Sequence, residues 1–225
     1  VTDLRFDKTT PYDFMPDIKV HHGFWKAFAE LIPELEKFLA NETFHGKDLR
    51  ITGHSLGGAL ASLCAVHIQL QGDKFKFRSI QTITMGEPRV GNVRFHNVYM
   101  LAIEAAWRLT HHADVVPKVP FQSFGYFHTA TEVWYSDERY KPDGYRVCDG
   151  SGEDPHCQNS IFWHNSAEDH SYYVGLLLGS EGCPKEYMPT AKDLAILKKY
   201  NETRDHVDSL SVHLPVNSTK DLAGW

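Results

Sequence analysis

The sequence predicts an α/β domain with a mostly parallel central sheet. Three observations carry that reading. Strand-like and helical segments alternate from the N-terminus to about residue 135, the pattern that βαβ crossovers leave in a chain. Gly, Pro and Asn punctuate the segment boundaries, as at Gly86-Glu87-Pro88-Arg89. A Gly53-His54-Ser55-Leu56-Gly57 pentapeptide falls where a strand gives way to a helix.

Taken in order, residues 1–9 and 17–20 read as short strands split by a turn-rich piece around Pro11, Asp13 and Pro16. Apolar residues at 24, 28, 31, 35, 38 and 39 recur at helical spacing, which makes 24–40 an amphipathic helix with a bend expected at Pro33. Residues 49–53 form a short strand, 57–69 an Ala/Leu-rich helix, and 79–85 a second apolar strand. A helix over 92–105 and a strand over 107–110 lead into a loop at 111–118. Segments 128–135 and 145–148 read as antiparallel additions at the sheet edge, 148–170 as loop and 171–178 as helix. A short helix is expected over 190–200, and the polar 201–225 wraps the surface. The domain is therefore placed at 1–183, with a C-terminal extension over 184–225.

Composition narrows the class. A chain of 225 residues with 42% hydrophobic and 23% charged residues can bury one sizeable core; disorder, collagen and coiled coil are excluded. The longest apolar stretches, such as 174–178, fall far short of the roughly 18 residues that span a bilayer, so no transmembrane segment is expected. With a formal net charge of -6 and scattered basic residues, the chain lacks the electrostatic footprint of a nucleic-acid binder. Cys148 and Cys157 flank a Gly/Asp/Ser/Pro-rich loop that a short disulfide can close, whereas Cys64 lies in an apolar helical pattern and is expected to be buried. N-x-[ST] sequons occur at Asn41, Asn201 and Asn217. Together with the cysteine pair they point to a secreted protein.

The chemistry concentrates at Ser55. In a G-x-S-x-G turn between strand and helix, the serine occupies a strained elbow with Oγ projecting, and Gly53 and Gly57 leave room around it. The amide of Leu56 then supplies an oxyanion-hole donor at a helix N-terminus. A serine nucleophile on such a sheet takes its acid and its histidine in that order along the chain. Asp114, in the loop after the strand ending at Thr110, is the acid, with Glu87 as rival. His170, far downstream, is the base, with His164 as competitor; His128 is expected to pack against the sheet. His21-His22 and His111-His112 lack i,i+4 spacing and no H-E-x-x-H occurs, so neither a metal nor another cofactor is expected. Phe121, Phe124, Tyr126 and Phe127 could line an apolar acyl pocket or belong to the core, and the sequence leaves both open.

The elements Val20-His21-His22-Gly23-Phe24, Ile51-Thr52-Gly53-His54-Ser55-Leu56-Gly57-Gly58, Met85-Gly86-Glu87-Pro88-Arg89-Val90-Gly91-Asn92, the stretch 108–120 and Asp169-His170-Ser171-Tyr172-Tyr173 resemble, in order, motifs of the class 3 lipases. Within these the secreted fungal and yeast triacylglycerol lipases and the feruloyl esterases look most similar. The resemblance implies an α/β-hydrolase fold, Ser55, Asp114 and His170 as triad, and an acyl site drawing on His21, His54, Val116, Phe121 and Phe124. It also implies hydrolysis of acylglycerol esters at a lipid–water interface through an acyl-enzyme. Phospholipase A1-like activity, feruloyl or short-ester esterase activity, or a non-catalytic lipid-binding role are the alternatives.

Two further expectations follow from the resemblance. The N-terminal part of the domain, with the lid and the second oxyanion donor, is expected to lie outside this chain; one such donor is typically worth about 2.7–4 kcal/mol in catalysis. Cys148 and Cys157 resemble a local disulfide of the yeast members. Cys183 matches a position that looks paired to an N-terminal cysteine there, which leaves it free or joined to a second polypeptide.

Overall fold

Backbone hydrogen bonds pair five strands into one sheet in the computed structural model, which describes residues 6–178 apart from 138 and 162–164. Strands β1 (Lys8–Thr9) and β2 (Val20–His21) pair antiparallel ahead of helix α1 (His22–Leu39). The central elements follow as β3 (Asp48–His54), α2 (Leu56–Leu70), β4 (Ser79–Met85), α3 (Val93–Ala102) and β5 (Ala105–His111). Strands β6 (Thr131–Tyr135) and β7 (Tyr145–Val147) complete the sheet in the order β3-β4-β5-β6-β7. The first four run parallel and β7 is antiparallel.

The register sorts the two faces. Gly53, Thr84, Arg108 and Glu132 stand side by side across β3 to β6, and the last three are buried. The next row, Thr52, Ile83, Trp107 and Thr131, faces the other way, with Ile83 46% exposed. Helix α2 is apolar on nearly all sides and buries Ala59, Ala61, Leu63, Ala65, Val66 and Ile68, as a helix at the centre of a core must. It packs with Phe28 of α1 and with Phe95 and Tyr99 of α3, while the Tyr99 hydroxyl is hydrogen-bonded to Thr82 Oγ1 of β4 at 2.5 Å. Asn92 caps α3 by accepting from Phe95 N and donates to the carbonyl of Asp17, fastening the N-terminal loop to this core.

Several expectations change. Helix α1 starts at His22, two residues before the expected 24, and ends at Leu39 with Pro33 inside it. Strand β6 is parallel to β5, not antiparallel: the long connection after β5 returns to the starting edge before β6 begins. Helix α3 stops at Ala102 and strand β5 starts at Ala105. The expected helix over 171–178 is instead a hairpin, β8 (Tyr172–Tyr173) and β9 (Leu176–Leu177), turned by Val174 and Gly175 at φ 47° and 81°. Gly175 makes that turn at no steric cost, so the apolar run reads as helical only when the turn signal is overlooked. Cys64 is partly rather than fully buried, and burial pushes its thiol up to about 12. Residues 6–176 lie in one compact unit. His164, Cys183, Asn201, Asn217, the 190–200 helix and the 184–225 extension lie outside the described residues.

Candidate active site

Parallel strands end on one edge, so the loops after β3, β4 and β5 meet there. The first carries Ser55, which sits between β3 and α2 at φ 57° and ψ -128°, a strained conformation for a residue with a side chain. Its amide donates to the Met85 carbonyl at 2.9 Å, tying the elbow to β4. Gly53 is required: a Cβ there would lie 2.1 Å from the Gly57 carbonyl oxygen. Gly57 itself is not, because its Cβ would meet nothing within 4 Å, and the close contact falls on Gly58, whose Cβ would abut that of Glu87 at 3.0 Å. Leu56 opens α2, so its amide has no intrahelical acceptor and the helix N-terminus favours negative charge beside Ser55.

The loop after β5 carries Asp114, whose side chain is fully buried. Its carboxylate receives His170 Nδ1 at 2.9 and 3.1 Å, the Tyr173 hydroxyl at 2.5 Å and the Val116 amide at 2.8 Å. His170 Nε2 then lies 2.7 Å from Ser55 Oγ. Gly86, at φ 57°, forms the floor: a Cβ there would stand 2.9 Å from Asp114 Oδ2 and 3.0 Å from the His170 ring.

Neighbouring groups hold His170. His54 Nε2–H donates to the His170 carbonyl at 2.6 Å and its ring lies 4.5 Å from that of His170. Burial lowers the His54 pKa, which favours this neutral donor form. The preceding residue, Asp169, accepts from His112 Nδ1 at 2.8 Å and from the Ala113 amide at 3.0 Å. Burial works against its charge, yet these donors hold its carboxyl below the usual range. The loops that carry His170 and Asp114 are thereby stitched together.

Of the residues read from the sequence as an acyl site, Val116 touches Asp114 and His54 touches His170. His21 is buried and caps α1, its Nδ1 accepting from Phe24 N at 3.3 Å. Phe121 and Phe124 are 50% and 51% exposed and group with Phe6, so they are not core, whereas Tyr126 is buried. His128 packs inside and donates to the Pro117 carbonyl at 2.6 Å. Tyr173, Asp169 and Gln158 carry contacts that motif reading misses. Tyr173 and Asp169 stand in the motif around His170, which shows the residues and not their contacts; Gln158 leaves no signal.

The rival acid, Glu87, belongs beneath the elbow. It accepts from Ser62 Oγ at 2.6 Å and Thr84 Oγ1 at 2.5 Å. Burial pushes its pKa up to about 7, against the lowering effect of these hydroxyls and of Arg108. The folded state therefore keeps a proton that the unfolded chain releases above about 4.5. Stability from this group is complete below that pH and is lost as pH rises through about 7, by roughly 3 kcal/mol in all. Glu87→Gln is expected to remove this dependence; thermal midpoints of both proteins from pH 4 to 9 provide the check, and equal slopes would refute it.

Among the described residues, Glu132, Cys148 and Cys157 bring potential metal-ligand atoms within 4.8 Å of one another. The two sulfurs are joined as a disulfide, as the sequence predicts, and Thr110 and Arg108 engage Glu132. No thiolate is on offer.

The family model described as Lipase (class 3) matches residues 1–124, more than half of the chain. The chain belongs to the class 3 lipases. This class 3 lipase is 33% identical over 184 residues to a lipase of Rhizomucor miehei, covering 80% of this chain and 49% of the relative. It is 35% identical over 159 residues to the secreted mono- and diacylglycerol lipase 1 of Fusarium solani, covering 67% and 45%. The chain spans about half the length of the curated relatives it matches. Its fold superposes on the triacylglyceride lipase of Rhizomucor miehei with a TM-score of 0.70 at 31% identity, covering 78% of this chain and 66% of that one. Lipase II of Rhizopus niveus gives 0.69 at 31% identity, with 80% and 67% covered. The mostly parallel sheet is thus that of the α/β-hydrolase lipases.

Proposed function

We propose that the protein is a secreted serine carboxylester hydrolase that cleaves acylglycerol esters through an acyl-enzyme. The observation that carries this is the chain of contacts from Asp114 through His170 to Ser55, with Nε2 2.7 Å from Oγ. His170 Nε2 takes the Ser55 proton as Oγ attacks the ester carbonyl, and the Leu56 amide receives the developing oxyanion. Asp114 holds Nδ1–H and stabilises the imidazolium, while Tyr173 and Val116 hold the carboxylate in place. The imidazolium returns its proton to the leaving alcohol. Water, deprotonated by His170, then releases the acid and frees Ser55.

The lipid side of the reading rests on kinship with lipases acting on mono-, di- and triacylglycerols and on the exposed Phe121 and Phe124, which lie in the connection after Asp114. Val116 and these two phenylalanines are assigned to the acyl-binding side. A fluorophosphonate probe should label Ser55, as read by peptide mass, and emulsified long-chain triacylglycerol should be cleaved faster than soluble short-chain esters. An unlabelled protein would overturn the nucleophile; a preference for soluble esters would overturn the lipase assignment.

Secretion carries its own prediction. Asn41 follows α1 and opens the short turn Glu42–Phe44 in an exposed Asn-Glu-Thr sequon, its Oδ1 accepting from Thr43 N at 3.0 Å. Protein secreted from a eukaryotic host is expected to carry an N-glycan there, so that peptide N-glycosidase shifts its mass and Asn41→Gln removes that part of the shift. An unglycosylated Asn41 peptide would refute the assignment.

A further inference from the structure

The acid of the triad is held from behind as well as from in front. Its own main-chain carbonyl receives Gln158 Nε2–H at 2.8 Å, and both groups are buried. Gln158 touches neither Ser55 nor His170 in any contact described above; it opens a single turn directly after Cys157. Cys157 is bonded to Cys148, whose amide donates to the Glu132 carbonyl of β6 at 3.0 Å. A continuous path therefore runs from the central sheet through the disulfide and one side chain to Asp114.

The same loop supports the rest of the acid's connection. Glu153 takes Arg89 Nε and Nη2 at 2.7 Å each, and Arg89 Nη1 reaches the carbonyls of Lys118 and Pro120 at 2.8 and 3.1 Å. Asp154 fastens the loop internally, accepting from the amides of Asp149 and His156. The turn that lets the loop close needs Gly152 at φ 80°, where a Cβ would stand 2.7 Å from the His128 carbonyl. Residues 114–120 thus rest on a loop whose ends are clasped by one covalent bond.

We propose that Gln158, fixed by the Cys148–Cys157 disulfide, is a positioning residue for Asp114, and that breaking the disulfide slows ester hydrolysis through this contact. The proposal rests on the triad reading. A buried carbonyl that loses its donor moves toward another one, and a small displacement of Asp114 is passed through Nδ1 to the Nε2–Oγ distance on which proton transfer depends. Reduction by a dithiol is balanced. The reagent supplies two electrons and two protons, the two sulfurs become thiols, and the reagent closes to a cyclic disulfide.

The test compares the full-length protein with Gln158→Met and Gln158→Glu, each with and without dithiothreitol, on a soluble p-nitrophenyl ester and with a reactive organophosphate. Gln158→Met keeps the volume and loses the donor; kcat is expected to fall about tenfold with KM within about twofold. Gln158→Glu should regain activity relative to the native protein as pH falls, because the protonated carboxyl again donates to the carbonyl, whereas Gln158→Met should not. Dithiothreitol should slow the native protein about tenfold yet slow Gln158→Met by less than about twofold more, the signature of two changes acting through one contact. Unchanged kcat in Gln158→Met, or equal loss in both proteins on reduction, overturns the proposal alone. If the native protein does not react with the organophosphate, the triad reading falls and takes this inference with it.

Discussion

Ser55→Ala is expected to lower the rate of ester hydrolysis by on the order of 10⁵-fold or more and to abolish labelling by organophosphates. The reason is local. Ser55 Oγ is the atom His170 Nε2 faces at 2.7 Å, and alanine leaves the base with nothing to deprotonate. The fold should survive, since Ser55 donates and accepts through its backbone to Met85 and Gly58, contacts that alanine keeps. Near-ultraviolet circular dichroism matching the native protein, with kcat at background, is the expected pair of results. Residual hydrolysis within tenfold of native would place the nucleophile elsewhere.

Asp114→Asn should cost on the order of 10⁴ in kcat, the scale found when a serine protease loses its triad acid to the amide. The carboxylate can serve His170 Nδ1–H, Tyr173 O–H and Val116 N–H at once because both its oxygens are acceptors. An asparagine has one oxygen. With the Val116 amide holding it, the NH2 group faces Nδ1, and the proton of the imidazole moves to Nε2, where it blocks transfer from Ser55. Tyr173 can turn its hydroxyl to accept, so the loss should appear in kcat far more than in the thermal midpoint. A variant that retains more than a tenth of native kcat would move the acid role away from Asp114.

Much of this arrangement was legible in the linear chain. The elbow is local: a glycine that clears the Gly57 carbonyl, a strained serine and the helix amides that follow are all set within six residues. Asp114 and His170 could be chosen because chain order and strand ends are also properties of sequence. Local pattern failed where distant contacts decided. The run after His170 contains enough apolar residues for a helix, yet Tyr173 is drawn to Asp114 and the chain turns at Val174 and Gly175 instead. Strand β6 reads the same whichever way it runs; only the path of the 112–130 connection makes it parallel.

The sequence by itself determined the sheet-and-helix alternation, the glycine-rich turn at Ser55 and the cysteine pair, and pointed to Asp114 and His170, because each rests on periodicity, on neighbours along the backbone or on chain order. The tertiary structure decided which side chains support them. Tyr173 and Val116 on the carboxylate, His54 and Asp169 on the base loop, and Gln158 on the acid's carbonyl are all contacts in which a buried polar atom finds its partner. Such pairing is the rule for polar atoms kept from water. Except for Val116, each of these partners is brought to its atom from more than forty positions away, a separation across which no spacing rule carries information.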